Sequence, residues 1–167
     1  MQIWLICLAM LCMLSTGCAV GLHPPATLSD PVDVYLVDSG RTSSIVLPNE
    51  AGGLTRYSYG DWNWYAMRKT AFWRAIPALL WPTRGALGRK ELGNIDELGE
   101  PQNLYTIAVE RNRAIDLSRR LDVQFARRAY AMVSSPSVGL DFVPFGHSYW
   151  MFHTSNHVTT GWMHDLD

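Results

Sequence analysis

The stretch Phe152 to Trp162, FHTSNHVTTGW, sets two histidines, a serine and three threonines in eleven positions near the end of the chain. Three chemistries use such residue types. A serine becomes a nucleophile when a positioned base takes its proton. His147, His153 and His157 are the nearby bases for Ser155, and Asp61 or Asp141 is an acid that would orient the imidazole. A second use is metal ligation. His153 and His157 are four apart and His164 is seven further on, so on one continuous helix all three share a face. The third reading is structural: Ser and Thr are favoured at the start of a helix, which makes Ser155 the N-cap of a last short helix beginning near Thr154 or Ser155. No Gly-x-Ser-x-Gly elbow surrounds Ser155. A helix capped there leaves His153 outside it, Gly161 weakens it, and the Glu of His-Glu-x-x-His is missing. The capping reading asks least of the residues, and it implies no metal and no cofactor.

Elements that would position these residues must come from one domain. The chain has 167 residues, 48% hydrophobic and 17% charged, as a folded globular domain has. Its net charge of -1 supplies no electrostatic footprint for nucleic acid, which sets that partner class aside. With 7 Trp and 7 Tyr, many aromatic rings must share the core or line a groove.

The N-terminus reads as an address. IWLICLAMLCML is an uncharged apolar run shorter than the roughly 20 residues of a bilayer span, and small residues follow it, as in an export signal. Leu14 to Cys18, LSTGC, looks like a bacterial lipobox, in which Cys18 receives lipid and becomes the new N-terminus. The residues before the run, Met1 and Gln2, lack the usual Lys or Arg. The expected organisation is a lipoprotein signal peptide over 1–17, a lipid tether over 18–31 rich in Pro and Gly, and a domain over 32–167. Cys7 and Cys12 leave with the signal, so the mature chain would keep no free thiol and no disulfide. Several acyl chains, at roughly 0.8 kcal/mol per buried methylene, would hold the domain at a membrane. Ala19 is not the Asp that retains such lipoproteins on an inner membrane, which favours the outer membrane of a Gram-negative envelope.

Within the domain, VDVYLVD (32–38) and TRYSYG (55–60) alternate as strands do, SSIVLP (43–48) gives a short strand between them as a hairpin-like neighbour, and NLYTIAVER (103–111) is the clearest strand. Asp61 is placed to cap a helix over WNWYAMRKTAFWRAI, with Tyr65, Phe72, Trp73 and Ile76 near one face before Pro77 ends it. WPTRGALG reads as a turn-rich connector and SSPSVGLDFVPFG as a loop. HSYWMF reads as a short strand. DLSRRLDVQFARRAYAMV spaces Leu117, Leu121, Phe125 and Ala129 four apart as an amphipathic helix. Its arginines form a solvated face or meet anionic lipid headgroups. The fold class is α+β, a small antiparallel sheet packed with helices.

The order of these motifs, from the Gly turn and IVLP through YSYGDWNWY and WPTRGALG to the aromatic run before TSN, resembles an uncharacterised urease-associated family of exported bacterial proteins. That family reads Gly-Trp-His-Thr at the first turn, Gly-Trp-Gly-Asp in the middle and Thr-Cys-Asn at the end. The resemblance covers Val32 to about Trp162 and implies a circularly permuted papain-like fold, amidase-like, acting on cell-wall peptides or lipids. It places Arg41 at the Trp, Thr42 at the His and Ser155 at the Cys, and it retains Asp61. A helix N-terminus stabilises a thiolate far more readily than a serine alkoxide, and Thr42 is no base. The resemblance thus implies a pseudoenzyme, a lipid-anchored protein of the cell envelope that binds cell-wall peptide, glycan or lipid, or acts as a scaffold. A serine-dependent hydrolase using Ser155 and His153 and a metal-binding protein stay open as alternatives. For the anchor, Cys18→Ala is expected to move the chain from the membrane to the soluble fraction of cells; a variant that stays membrane-bound would contradict the lipobox.

Overall fold

Side chains that alternate along an extended chain divide between the two faces of a sheet. That pattern marks β1 (Pro31–Asp38) and β3 (Leu54–Asp61), and the apolar β2 (Ser43–Pro48) lies between them, antiparallel neighbours in chain order. A computed structural model of the chain describes residues 27–40, 42–67, 81–150 and 153–167. The signal peptide with Cys18, the tether as far as Ala26, and the expected helix beyond Met67 lie outside these residues. Among the described residues, β4 (Thr83–Leu92), β5 (Asn103–Glu110), β6 (Val133–Ser135) and β7 (Leu140–Tyr149) complete an antiparallel sheet of seven strands. Its order is β5-β1-β2-β3-β4-β7-β6, and two α-helices, α1 (Arg111–Ala126) and α2 (Ser155–His164), accompany it. The protein is α+β, with helices packed on an antiparallel sheet.

Both helices cover one face. Leu117, Leu121 and Phe125 of α1 and Trp162 and Met163 of α2 pack on Val34, Ile45, Leu47, Tyr57, Tyr59, Leu87 and Val143 of the sheet. Each such side chain contributes roughly 1.5–3 kcal/mol by leaving water. The Tyr57 hydroxyl enters this core and is satisfied, donating to the Ser118 carbonyl at 3.1 Å. The opposite face is covered by smaller clusters. Ile95 and Leu98, from a 3-10 turn, pack on Val37, Val46 and Leu92, while Trp62 and Tyr65 pack with Ala86, Leu140 and Phe142. Consequently Ser44 to Leu47 of β2 are buried without alternation.

Helix α1 begins at Arg111, five residues before Asp116. The corner is fixed there because the Glu110 carboxylate accepts the backbone N–H groups of Ser29 and Asp30, and the Arg111 N–H donates to the Asp30 carbonyl at 2.9 Å. Ala129 falls past the end of α1, in a 3-10 turn over Ala129–Ala131. The helix expected after Asp61 starts as a single π-type turn, Trp62–Ala66, with Asp61 as its cap.

Two segments differ from their sequence reading. The expected connector WPTRGALG runs into β4, and the expected loop SSPSVGLDFVPFG holds β6 and the first part of β7; His147 to Tyr149 are the end of that strand. Glycine is depleted in strands, yet here it makes room for rings. A Cβ on Gly88 would strike the Phe142 ring, and one on Gly60 the Tyr65 ring. Pro144 is tolerated because β6 reaches only Leu140 to Phe142, so one edge of β7 is open beside it.

A bulge in β7 shapes the site. Arg84 faces Ser148 while Ala86 faces Pro144, so Phe145 to His147 stand opposite Gly85 alone. A Cβ on Gly85 would collide with the His147 carbonyl and the Tyr59 ring. Gly85→Ala is therefore expected to destabilise the fold by about 2 kcal/mol or more. Gly161→Ala, which meets open space on α2, should stabilise it by up to about 1 kcal/mol. Urea unfolding of the two variants checks both signs.

Candidate functional site

The residues singled out by sequence fall into two adjoining groups. The first lies where the β1–β2 hairpin meets the start of α2. Thr42 sits in that hairpin, its carbonyl accepting the Ser39 N–H at 3.0 Å. The next residue, Ser43, donates from its hydroxyl to Asn156 Oδ1 at 3.0 Å, across a sequence separation of 113. The early turn is thus tied to the first turn of the last helix. Ser155 is the first helical residue, 2% exposed, and the N-cap position belongs to Thr154. This corrects the expectation that Ser155 caps the helix. Thr154 makes no side-chain cap bond either, because its hydroxyl pairs with His157 Nδ1 at 3.2 Å.

Beside this junction lies a groove of about 390 Å³. Asp38, Gly40 and Ser43 of the hairpin, Tyr105 of β5, and Asn156 and Thr160 of α2 line it. Thr159 also borders the groove, and its buried hydroxyl has no hydrogen-bond partner among the described residues. Asp38 is held below the usual carboxylate range by the Gly40 N–H and by Asn103. Ser43 and Tyr105 carry no motif, and although Asn156 ends the TSN run, only the folded pairing of hairpin and helix reveals its partner.

The second group centres on Tyr59, a residue that sequence reasoning treated only as part of a strand. Its ring is 1% exposed and packs edge-on against Phe145 and His153, with centroids 5.4 Å away in each case. The Tyr59 hydroxyl lies 3.1 Å from His153 Nδ1 and 3.3 Å from the His147 carbonyl. His153 Nδ1 also lies 3.0 Å from the Ser148 carbonyl. A carbonyl only accepts, so the arrangement is satisfied when Nδ1 carries the proton toward Ser148 and Tyr59 donates to His147. That tautomer leaves the lone pair of His153 on Nε2. No histidine nitrogen among the described residues is hydrogen-bonded to the Ser155 hydroxyl.

Asp61, 4% exposed, is fully engaged elsewhere. One oxygen accepts the Trp64 N–H at 2.7 Å and the other accepts the Thr83 hydroxyl at 2.5 Å. It orients no histidine. Asp141 accepts the Ser134 hydroxyl on the β6–β7 hairpin and does not serve a histidine either. Burial first, and then repulsion from the neighbouring Tyr149 phenol once it ionises and from the Asp61 carboxylate, push the Tyr59 phenol well above its ordinary value. Burial does the same for Tyr57.

The metal reading is also rearranged. His153 and His157 line a second cleft, of about 350 Å³, with His147 of β7 rather than with His164. The rings of His147 and His153 are 5.7 Å apart, while His164 lies exposed in the last turn of α2. Among the described residues, no three His, Cys, Asp or Glu side chains are placed to hold a metal ion. Arg120 closes one wall of the cleft, ion-paired with Asp165 at 2.9 Å and Asp116 at 3.3 Å. Among the described residues, no helix is long and apolar enough to cross a membrane.

Set against models of known families, curated proteins and solved structures, the chain matches none.

The two buried tyrosines give a pH dependence. Their folded pKa values are raised, so the stability gained by keeping the phenols neutral is complete below about 10, the value of an unburied tyrosine, and is lost as pH rises beyond it. In an alkaline titration the phenolate absorbance of Tyr57 and Tyr59 should appear only with cooperative unfolding. Tyr57→Phe with Tyr59→Phe should shrink that step to the share of Tyr149, whose phenol burial also raises.

Proposed function

We propose that the domain is a non-catalytic binding module, a degenerate relative of permuted papain-like amidases, held at the bacterial cell envelope by lipid on Cys18. The observation that carries this reading is the junction of the early hairpin with the start of the last helix. The Ser43–Asn156 hydrogen bond brings together the two places where the resemblance implies a base and a nucleophile. Thr42 stands at the first and a buried Ser155 at the second, so on this reading the reacting pair is missing. A helix N-terminus cannot ionise a serine without a base, and of the two imidazoles two residues away, His153 is pinned through Nδ1 to Ser148 and Tyr59 and His157 pairs through Nδ1 with the Thr154 hydroxyl.

What remains is a groove whose donors and acceptors are hydroxyl, amide and carboxylate groups of Ser43, Asn156, Thr160 and Asp38. With Leu36, Tyr105 and Met163 beside these groups, the lining suits a ligand with both polar and apolar parts, such as the peptide or glycan of a cell wall or the head of a lipid. No cofactor is required for binding of this kind.

A fluorophosphonate probe offered to the full chain should leave Ser155 unmodified. Labelling that disappears in Ser155→Ala would overturn the proposal in favour of a serine hydrolase. For the binding role, the full chain is expected to be retained on purified cell wall or on lipid vesicles, with Thr160→Trp, which fills the groove, lowering retention at least tenfold. Unchanged retention in that variant would place binding elsewhere.

A further inference from the structure

The two edges of the sheet are treated differently. At one end β6 is only three residues long, one of the usual ways in which a protein protects an edge. At the other end β5 runs for eight residues in unbroken register with β1, from Pro31 opposite Glu110 to Asp38 opposite Asn103. It has no bulge, no proline and no charge between Asn103 and Val109. Six of its eight residues are only partly covered or exposed from Asn103 to Ala108, with Leu104 and Tyr105 among the exposed apolar side chains. Among the described residues, nothing pairs with its outer edge. A long, flat, uncharged edge strand is a template for another strand.

We infer that β5 pairs with β5 of a second copy of this chain, antiparallel about a two-fold axis at Thr106, so that Thr106 lies opposite its own copy and one sheet runs through both copies. Two features of the chain select this occupant. With the axis there, Leu104 lies opposite Ala108 and Tyr105 opposite Ile107, so apolar side chains meet, and Glu110 faces Gln102 rather than another acid. The second feature is the charge at the ends. The segment leading into β5 carries Asp96, Glu97 and Glu100, all exposed, and the segment leaving it carries Arg111 and Arg113, also exposed. Arg111 is paired with Asp30 at 3.0 Å, whereas Arg113 has no ion pair within its own chain among the described residues. Antiparallel self-pairing brings the acidic end of one strand to the basic end of the other. Parallel pairing would set acid against acid.

The test is the mass of the purified full chain in detergent, measured by sedimentation equilibrium across the micromolar range. A dimer is expected for the natural sequence. Thr106→Lys and Ala108→Lys replace exposed residues near the axis with like charges, and each should shift the chain to monomer with its circular dichroism unchanged. Glu100→Arg and Arg113→Glu should each raise the dissociation constant by about three- to tenfold, and the double variant should restore it. A natural chain that is monomeric throughout, or one whose dimer is indifferent to both lysine variants, overturns the inference. A dimer weakened further by the double charge exchange overturns the antiparallel arrangement.

Discussion

The hydrogen-bonded ring of Tyr59 is the constraint on which the site depends. Its phenol is buried on β3, yet it reaches the His147 carbonyl on the β7 bulge and the His153 ring just before α2. An unsatisfied hydroxyl in that position would cost about 1–3 kcal/mol, so the bulge and the helix approach must supply its partners. Gly85 permits the bulge to come close, and Phe145 and Tyr149 close around the ring. The path of the chain into α2, and with it the placement of Ser155, follows from this cluster.

Asp61 anchors the same cluster from below. Its two oxygens tie the Trp62 turn to Thr83 at the start of β4, and its charge adds to the burial that keeps Tyr59 neutral. A carboxylate used in this way is structural, although its residue type and position invite a catalytic role. The proposed pseudoenzyme reading rests on this distribution of tasks. The acid and the imidazole are each committed to holding backbone and ring in place, and the serine at the helix start is left without either.

Much of the architecture was legible in the residues. The alternation of β1 and β3, the short apolar run of β2, the strand-like run of β5, the cap at Asp61 and the apolar spacing of Leu117, Leu121 and Phe125 are local signals, and each marks its element. β4 and β7 were hidden because their Gly85, Gly88 and Pro144 are breaker residues whose presence makes sense only beside Tyr59, Phe142 and the short β6. For the site, the positions of Ser155 and His153 stood out by type, but their partners did not. The pairing of Ser43 with Asn156, and of Tyr59 with His153, spans about a hundred residues and follows no period, so only the fold brings it to light. The exchange of His164 for His147 in the histidine cleft has the same origin, a strand bulge that no local pattern announces.

The central claim, that His153 is held by Tyr59 and Ser148 and does not serve Ser155, is most directly tested by long-range nitrogen–proton NMR of the histidine rings in the full chain. The His153 ring should be protonated on Nδ1, with signals that move in Tyr59→Phe and stay in place in Ser155→Ala. A His153 ring whose nitrogen signals respond to Ser155→Ala and ignore Tyr59→Phe would contradict it.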